Sequence, residues 1–167
     1  MILISTLTVL VFGPMLVEAG RAARNERAQR ARGGIEPPDD VYHIMRIAYP
    51  AAFVSMIVAG FVQGMSPPPL LIAGGVVFLA AKGLKWWAIL TLGPRWTFRV
   101  IVVPGASLVA RGPYEYLRHP NYVAVLGELI AVALMTGTRI VGPIAMVGFG
   151  LLMLKRIAVE ERALSNP

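Results

Sequence analysis

The chain has no cysteine, which excludes a disulfide framework, a thiolate metal site and a thiol nucleophile. Charge is scarce as well. Asp, Glu, Lys and Arg make up only 15% of the 167 residues, against 56% apolar ones, and mean hydropathy is strongly positive. So few charges cannot cover the surface of a water-soluble domain. Acidic residues are the scarcer kind, leaving a net charge of +7. That excess would suit nucleic acid, but the basic residues lie in short segments between apolar runs. Their placement fits anionic headgroups and topology determination instead, and no nucleic-acid partner or metal is expected. No internal repeat or low-complexity tract is present, so residues 1–167 are expected to form one domain.

What is abundant is long apolar runs. A bilayer-spanning helix needs roughly 20 mostly apolar residues, and the expected fold class is an all-α membrane protein of about five transmembrane helices. The spans are placed at residues 2–19, 44–62, 70–92, 121–135 and 140–157. The first lacks the basic start of a signal peptide and is read as a retained helix. After it come Arg21, Arg24, Arg27, Arg30 and Arg32, then Gly33-Gly34 and Pro37-Pro38, a helix running out into a loop. This arginine run is expected to act mainly as a topology determinant. Lys82, Lys85, Trp86 and Trp87 near the end of the third span read as snorkelling cations and an aromatic belt, with Trp96 a further anchor. Gly137-Thr138 leaves only a tight turn between spans four and five, which makes them an antiparallel hairpin. With the N-terminus outside and the C-terminus inside, every Lys and Arg except Arg139 falls on the cytoplasmic side.

That side also holds the polar chemistry. The densest cluster runs from Arg111 to Tyr122 and contains Arg118-His119-Pro120-Asn121-Tyr122, costly to desolvate at a helix start without partners. Pro120 suits the first helical turn and biases His119 towards an extended conformation. The free N–H groups there offer an anion site, with Arg118 adding charge. The second cluster, Glu160-Glu161, sits badly at a helix C-terminus and needs a cationic partner. The hairpin brings both clusters to one membrane level. Within the spans, Glu128 stands alone in an apolar helix, as either a functional carboxylate or one half of a buried polar pair. His43 reads as a solvated loop residue. Gly148-Phe-Gly150 reads as helix packing rather than a nucleotide loop, since no strand precedes it.

The run Gly112-Pro-Tyr-Glu-Tyr-Leu-Arg-His-Pro-Asn-Tyr122, followed by an apolar hairpin and Glu160-Glu161-x-x-Leu164, resembles the isoprenylcysteine carboxyl methyltransferase family. Lys85 to Thr97 and Arg21 to Arg27 are similar to a short bacterial branch, linked to O-methylation of alkylpyrones made by type III polyketide synthases. The chain's stop at Pro167, soon after the glutamates, also favours that branch over enzymes with a longer tail.

The resemblance implies S-adenosylmethionine as cofactor, bound in a cytoplasmic region formed by the loop between spans three and four and the C-terminal hairpin. It assigns His119, Pro120, Tyr122, Glu160 and Glu161 to the cofactor, with Tyr114, Asn121 and Leu164 in the same matched runs. Arg118, also in the motif, either pairs with a glutamate or helps hold an anionic acceptor as a catalytic group, and Glu128 is a catalytic candidate on its intramembrane position alone. The implied acceptor is lipophilic and enters from the bilayer: an alkylpyrone hydroxyl first, a prenylcysteine carboxylate second. The implied location is the bacterial plasma membrane, with membrane lipids as the surroundings. Two alternatives stay open, a sterol-type reductase of similar architecture using NADPH, and a small transporter or assembly protein. The oligomeric state is left open too.

Overall fold

The computed structural model describes residues 2–165. Five helices account for most of them: α1 (Ile2–Ala31), α2 (Tyr42–Gln63), α3 (Pro68–Leu92), α4 (Pro120–Thr136) and α5 (Val141–Ser165). Two short 3-10 turns, Gly93–Arg95 and Gly112–Glu115, punctuate the connection from α3 to α4. Four helices are long and apolar enough to cross a membrane, while α4 is shorter. At 1.5 Å per residue, its 17 residues span about 25 Å. The outward faces stay apolar, with Ile72, Leu79, Leu151 and Leu154 all exposed, as lipid contact requires.

Two helices run beyond the expected spans. The first continues past residue 19 through the arginine run to Ala31, just short of Gly33-Gly34, where the sequence places the loop. Asn25 explains why: its amide donates to the carbonyls of Gly93 at 3.0 Å and Trp96 at 2.7 Å, while Gln29 donates to Pro94 at 3.2 Å. The polar half of α1 is therefore docked against the α3–α4 connection. Likewise α5 continues past residue 157 to Ser165, because Arg156, Glu160 and Glu161 find partners across its face.

Helices α3 and α4 approach closely because small residues face each other. A Cβ on Gly74 would lie 2.6 Å from Met135 Cγ and 2.8 Å from the Ala131 carbonyl oxygen, whereas one on Gly75 meets nothing within 4 Å. Gly74→Ala should therefore lower the melting midpoint in detergent, an overpacking cost of about 1–3 kcal/mol, and Gly75→Ala should leave it unmoved. Equal midpoints for the two would contradict this packing. The hairpin forms as expected, turning at Gly137 with φ of 66°. Ser66 Oγ donates to the Leu134 carbonyl at 2.6 Å, so the two short loops meet at one end of the bundle. At the other end, the loop after α1 pairs with the α3–α4 connection through an isolated bridge between Ile35 and Val102. Glu36 fastens the same junction between Arg30 and Arg99. Burial alone would raise its pKa, but hydrogen bonds from Arg99 and Arg30 outweigh that and hold it below the usual range.

The lysines of α3 are the clearest correction. Lys82 and Lys85 do not snorkel; Lys85 is only 2% exposed. Lys82 Nζ lies 3.0 Å from Glu18 and 3.1 Å from Glu128; Lys85 Nζ lies 2.8 Å from Glu18 and 3.3 Å from Glu128. Both carboxylates are 1% exposed. Tyr49 of α2 closes the group by donating to Glu128. Desolvation inside an apolar bundle selects this neutral quartet over four separate charges. Trp96 is not a belt anchor either: it is buried with Ala22 and Ile89 and stacks edge-on against Phe98. Trp87 remains half exposed, as a belt residue should be.

Candidate active site

Helix α4 begins at Pro120, whose ring is compatible with a first turn. His119 caps it with φ of −131° and ψ of 64°, so its φ is extended but its ψ falls short of the strand region. Its carbonyl accepts from the amides of Tyr122 at 3.1 Å and Val123 at 3.3 Å. The anion site expected of the helix-four amides therefore narrows to the N–H of Asn121, since Pro120 has none.

The last turns of α5 stand opposite. Tyr122 Oη donates to Glu160 Oε2 at 2.8 Å, and His119 Nε2 lies 3.2 Å from Glu161 Oε1. Because a carboxylate only accepts, the histidine N–H is the donor there. His119 Nδ1 is 3.8 Å from Glu160. The two clusters thus meet as the hairpin predicts, with His119 set against both paired glutamates. Tyr114 approaches from the second 3-10 turn. Burial, and then the Glu160 charge, push its phenol far above the ordinary range, so it remains a neutral O–H group.

Beneath this pair lies a residue that sequence reasoning passed over. Arg156 is 6% exposed. Its Nε donates to Tyr122 Oη at 2.9 Å, its Nη1 to Asp40 at 2.9 Å, and its Nη2 to the Phe98 carbonyl. Asp40 also accepts from the Val100 amide at 2.8 Å and the Tyr42 amide at 3.0 Å. One guanidinium therefore ties α5 to α4, to the α1–α2 loop and to the α3–α4 connection. Its signal was present in the sequence: an arginine one helical turn before Glu160, still within the apolar run, needs an internal partner.

All these elements wall one cavity of about 1340 Å³. Nine of the ten expected site residues line it: Tyr114, Arg118, His119, Pro120, Asn121, Tyr122, Glu160, Glu161 and Leu164. Glu128 does not. It stands behind Tyr49 and Lys85, which do line the wall. Asn121 also accepts from Trp96 Nε1 at 3.4 Å. Away from the histidine–glutamate end much of the lining is apolar, with Phe12 and Met15 of α1, Met45 of α2 and Phe149 of α5, interrupted by Glu18, Arg46, Tyr49 and Lys85. Leu16, also part of the lining, is largely exposed on the outer surface of α1. The cavity therefore reaches the lipid-facing side beside α1.

Comparison with known proteins agrees with this geometry. The chain is 28% identical over 149 residues to the uncharacterized protein YpbQ of Bacillus subtilis (strain 168), a match covering 89% of each chain. It is 25% identical over 144 residues to an uncharacterized protein of Haemophilus influenzae, covering 86% of this chain and 84% of that one. No solved structure matches. The sequence profile of the isoprenylcysteine carboxyl methyltransferase (ICMT) family matches residues 72–166, which takes in α3, the connection after it and the whole hairpin. An apolar helical bundle with these paired motifs is a membrane protein of methyltransferase type, and the chain belongs to the isoprenylcysteine carboxyl methyltransferase family.

Proposed function

We propose that the protein transfers a methyl group from S-adenosylmethionine to an oxygen of a lipophilic acceptor, at the cytoplasmic face of a bacterial plasma membrane. One observation carries this reading: a single cavity joins the histidine–glutamate cluster to Phe12, Met15 and Leu16 of α1, Met45 of α2 and Phe149 of α5, an apolar stretch long enough for an alkyl chain and broken by the Glu18–Tyr49–Lys85 group and Arg46. The donor set fits the cofactor. Glu160 and Glu161 offer acceptors for its cationic and ribose groups, while His119, Tyr114 and the Asn121 amide offer donors for its carboxylate. When bound, the cofactor supplies a methyl carbon on a sulfonium, whose C–S bond breaks as the acceptor oxygen bonds that carbon.

The protein's share is positioning and electrostatics. Arg156 holds Tyr122 and the α3–α4 connection in register, so that the glutamates face the cavity. Arg118, exposed at the rim, attracts an anionic acceptor group. The apolar wall takes the acceptor's alkyl tail and excludes water. Glu128 acts through Tyr49 and Lys85, which stand between it and the cavity. An alkylpyrone-type hydroxyl is the first acceptor to test and a prenylcysteine carboxylate the second.

The one-sided distribution of arginine supports an outside N-terminus and an active site facing the cytosol. Inverted bacterial membrane vesicles carrying the protein should incorporate label from methyl-tritiated S-adenosylmethionine into added alkylpyrone or prenylcysteine acceptor, and right-side-out vesicles should not. Incorporation only in right-side-out vesicles would reverse the orientation. Incorporation in neither, with tight NADPH binding instead, would replace the transferase reading with a reductase.

A further inference from the structure

Behind the loop that roofs the large cavity lies a second recess of about 420 Å³. Arg32 reaches it from the end of α1, Arg95 from the first 3-10 turn and Arg111 from the approach to the second; Thr91 of α3 adds a hydroxyl. Among the described residues no carboxylate lines it. The backbones that carry these arginines are pinned. Gln29 and Asn25 bind the turn holding Arg95, and the Arg32 amide donates to the Gln29 carbonyl at 3.0 Å. Next to Arg111, Gly112 sits so close to α3 that a Cβ there would be 2.7 Å from Thr91 Oγ1.

Four other arginines on this side of the molecule meet acids, whereas, among the described residues, Arg21, Arg24, Arg27, Arg46 and Arg118 stand apart from the recess without one. Arg30 and Arg99 share Glu36, Arg156 holds Asp40 and Arg162 holds Asp39. In the recess, Arg95 reaches only the Ser107 carbonyl, and among the described residues Arg32 and Arg111 have no side-chain partner. Three cations held together by fixed backbone, with no acid among them, repel one another until an anion joins them. Planar guanidinium forks suit phosphate oxygens best. The half-exposed Trp87 and exposed Leu90 on the last turns of α3 put the recess at headgroup depth.

We propose that this recess binds a phosphate-bearing anion, supplied either by an anionic phospholipid headgroup or by soluble phosphate. Arg95 and the strip Ser107–Ala110 line both cavities, so the bound anion stiffens the wall they share. This site is independent of whether the large cavity transfers methyl groups.

The test uses the full chain in nanodiscs of phosphatidylcholine alone, phosphatidylcholine with added inorganic phosphate, or phosphatidylcholine mixed with phosphatidylglycerol. It reads amide exchange over residues 104–111 and the lipids retained in native mass spectrometry. Phosphatidylglycerol should slow exchange there and be retained preferentially. Arg32→Gln with Arg111→Gln should reduce that preference by about tenfold or more, while Arg24→Gln with Arg27→Gln, on the same helix but outside the recess, should keep it. Protection by inorganic phosphate as well would support the site with a soluble source. Equal exchange in all three discs, or an Arg32/Arg111 variant that behaves like the Arg24/Arg27 variant, would overturn the proposal.

Discussion

His119→Ala and Glu160→Ala should each weaken S-adenosylmethionine binding by about one to two decades, the value of a lost charge-assisted hydrogen bond. The double variant should cost less than the sum. His119, Tyr122 and Glu160 form one connected group, with Tyr122 Oη 2.8 Å from Glu160 and His119 Nδ1 3.8 Å from it. Removing either end disorganises what the other end presents, and coupled sites are not additive. Calorimetry in detergent measures the affinities, and a thermal melt of each variant checks folding. The fold should survive, because Arg156 keeps its bonds to Asp40 and to the Phe98 carbonyl. Unchanged affinity in two well-folded variants would remove the cofactor from this end of the cavity.

The second large effect belongs to the buried quartet. Lys85→Met leaves Glu18 and Glu128 with a single ammonium between them, and Glu128→Gln leaves two ammoniums facing one carboxylate. An uncompensated buried charge costs about 3–5 kcal/mol, so either substitution should sharply lower the melting midpoint. Combining the two restores neutrality and should recover much of the loss, a rescue that tells charge balance apart from lost packing. Singles that melt like the parent would mean that water reaches the group. The same double variant also addresses Glu128. If it is stable yet transfers no methyl group, the Lys85–Glu128 pair takes part in the chemistry through the cavity-lining Tyr49 or Lys85; if it is stable and active, both residues are structural.

The candidate-site cluster was legible in the sequence because its parts are local. Arg118 to Tyr122 are contiguous, Glu160 and Glu161 are adjacent, and a four-residue turn joins their helices at the far end, so hairpin geometry alone brings them level. Apolar run length marks the helices and Gly33-Gly34 marks the end of α1, but run length does not show that α5 stays helical to Ser165. Its last polar residues find partners on other segments, as Glu160 does in Tyr122 and Arg156 in Asp40.

The quartet escaped for a related reason. Lys82 and Lys85 beside two tryptophans look like an interface, and only long-range pairing with Glu18 and Glu128 draws them inside. A charge count offered a clue: two lone carboxylates in apolar helices match two lysines in a third. Arg156, within the apolar run, signals a need for an internal partner, but that partner, Asp40, lies 116 positions away, beyond the reach of any periodicity.

The continuity of α1 fixes its length as well as its shape. One stripe of this helix carries Leu7 and Val11 into the apolar core, Glu18 into the quartet, and Ala22 and Gln29 onto the α3–α4 connection. Each residue added or removed between Glu18 and Gln29 rotates everything beyond it by about 100°. A single insertion would swing Gln29 and Asn25 off the connection, or else pull Glu18 away from its lysines. The stretch can therefore lengthen or shorten only by whole helical turns. Even then the 1.5 Å rise per residue would shift the roof of the cavity along the membrane normal, making α1 a gauge that sets how deep the large cavity lies relative to the lipid headgroups.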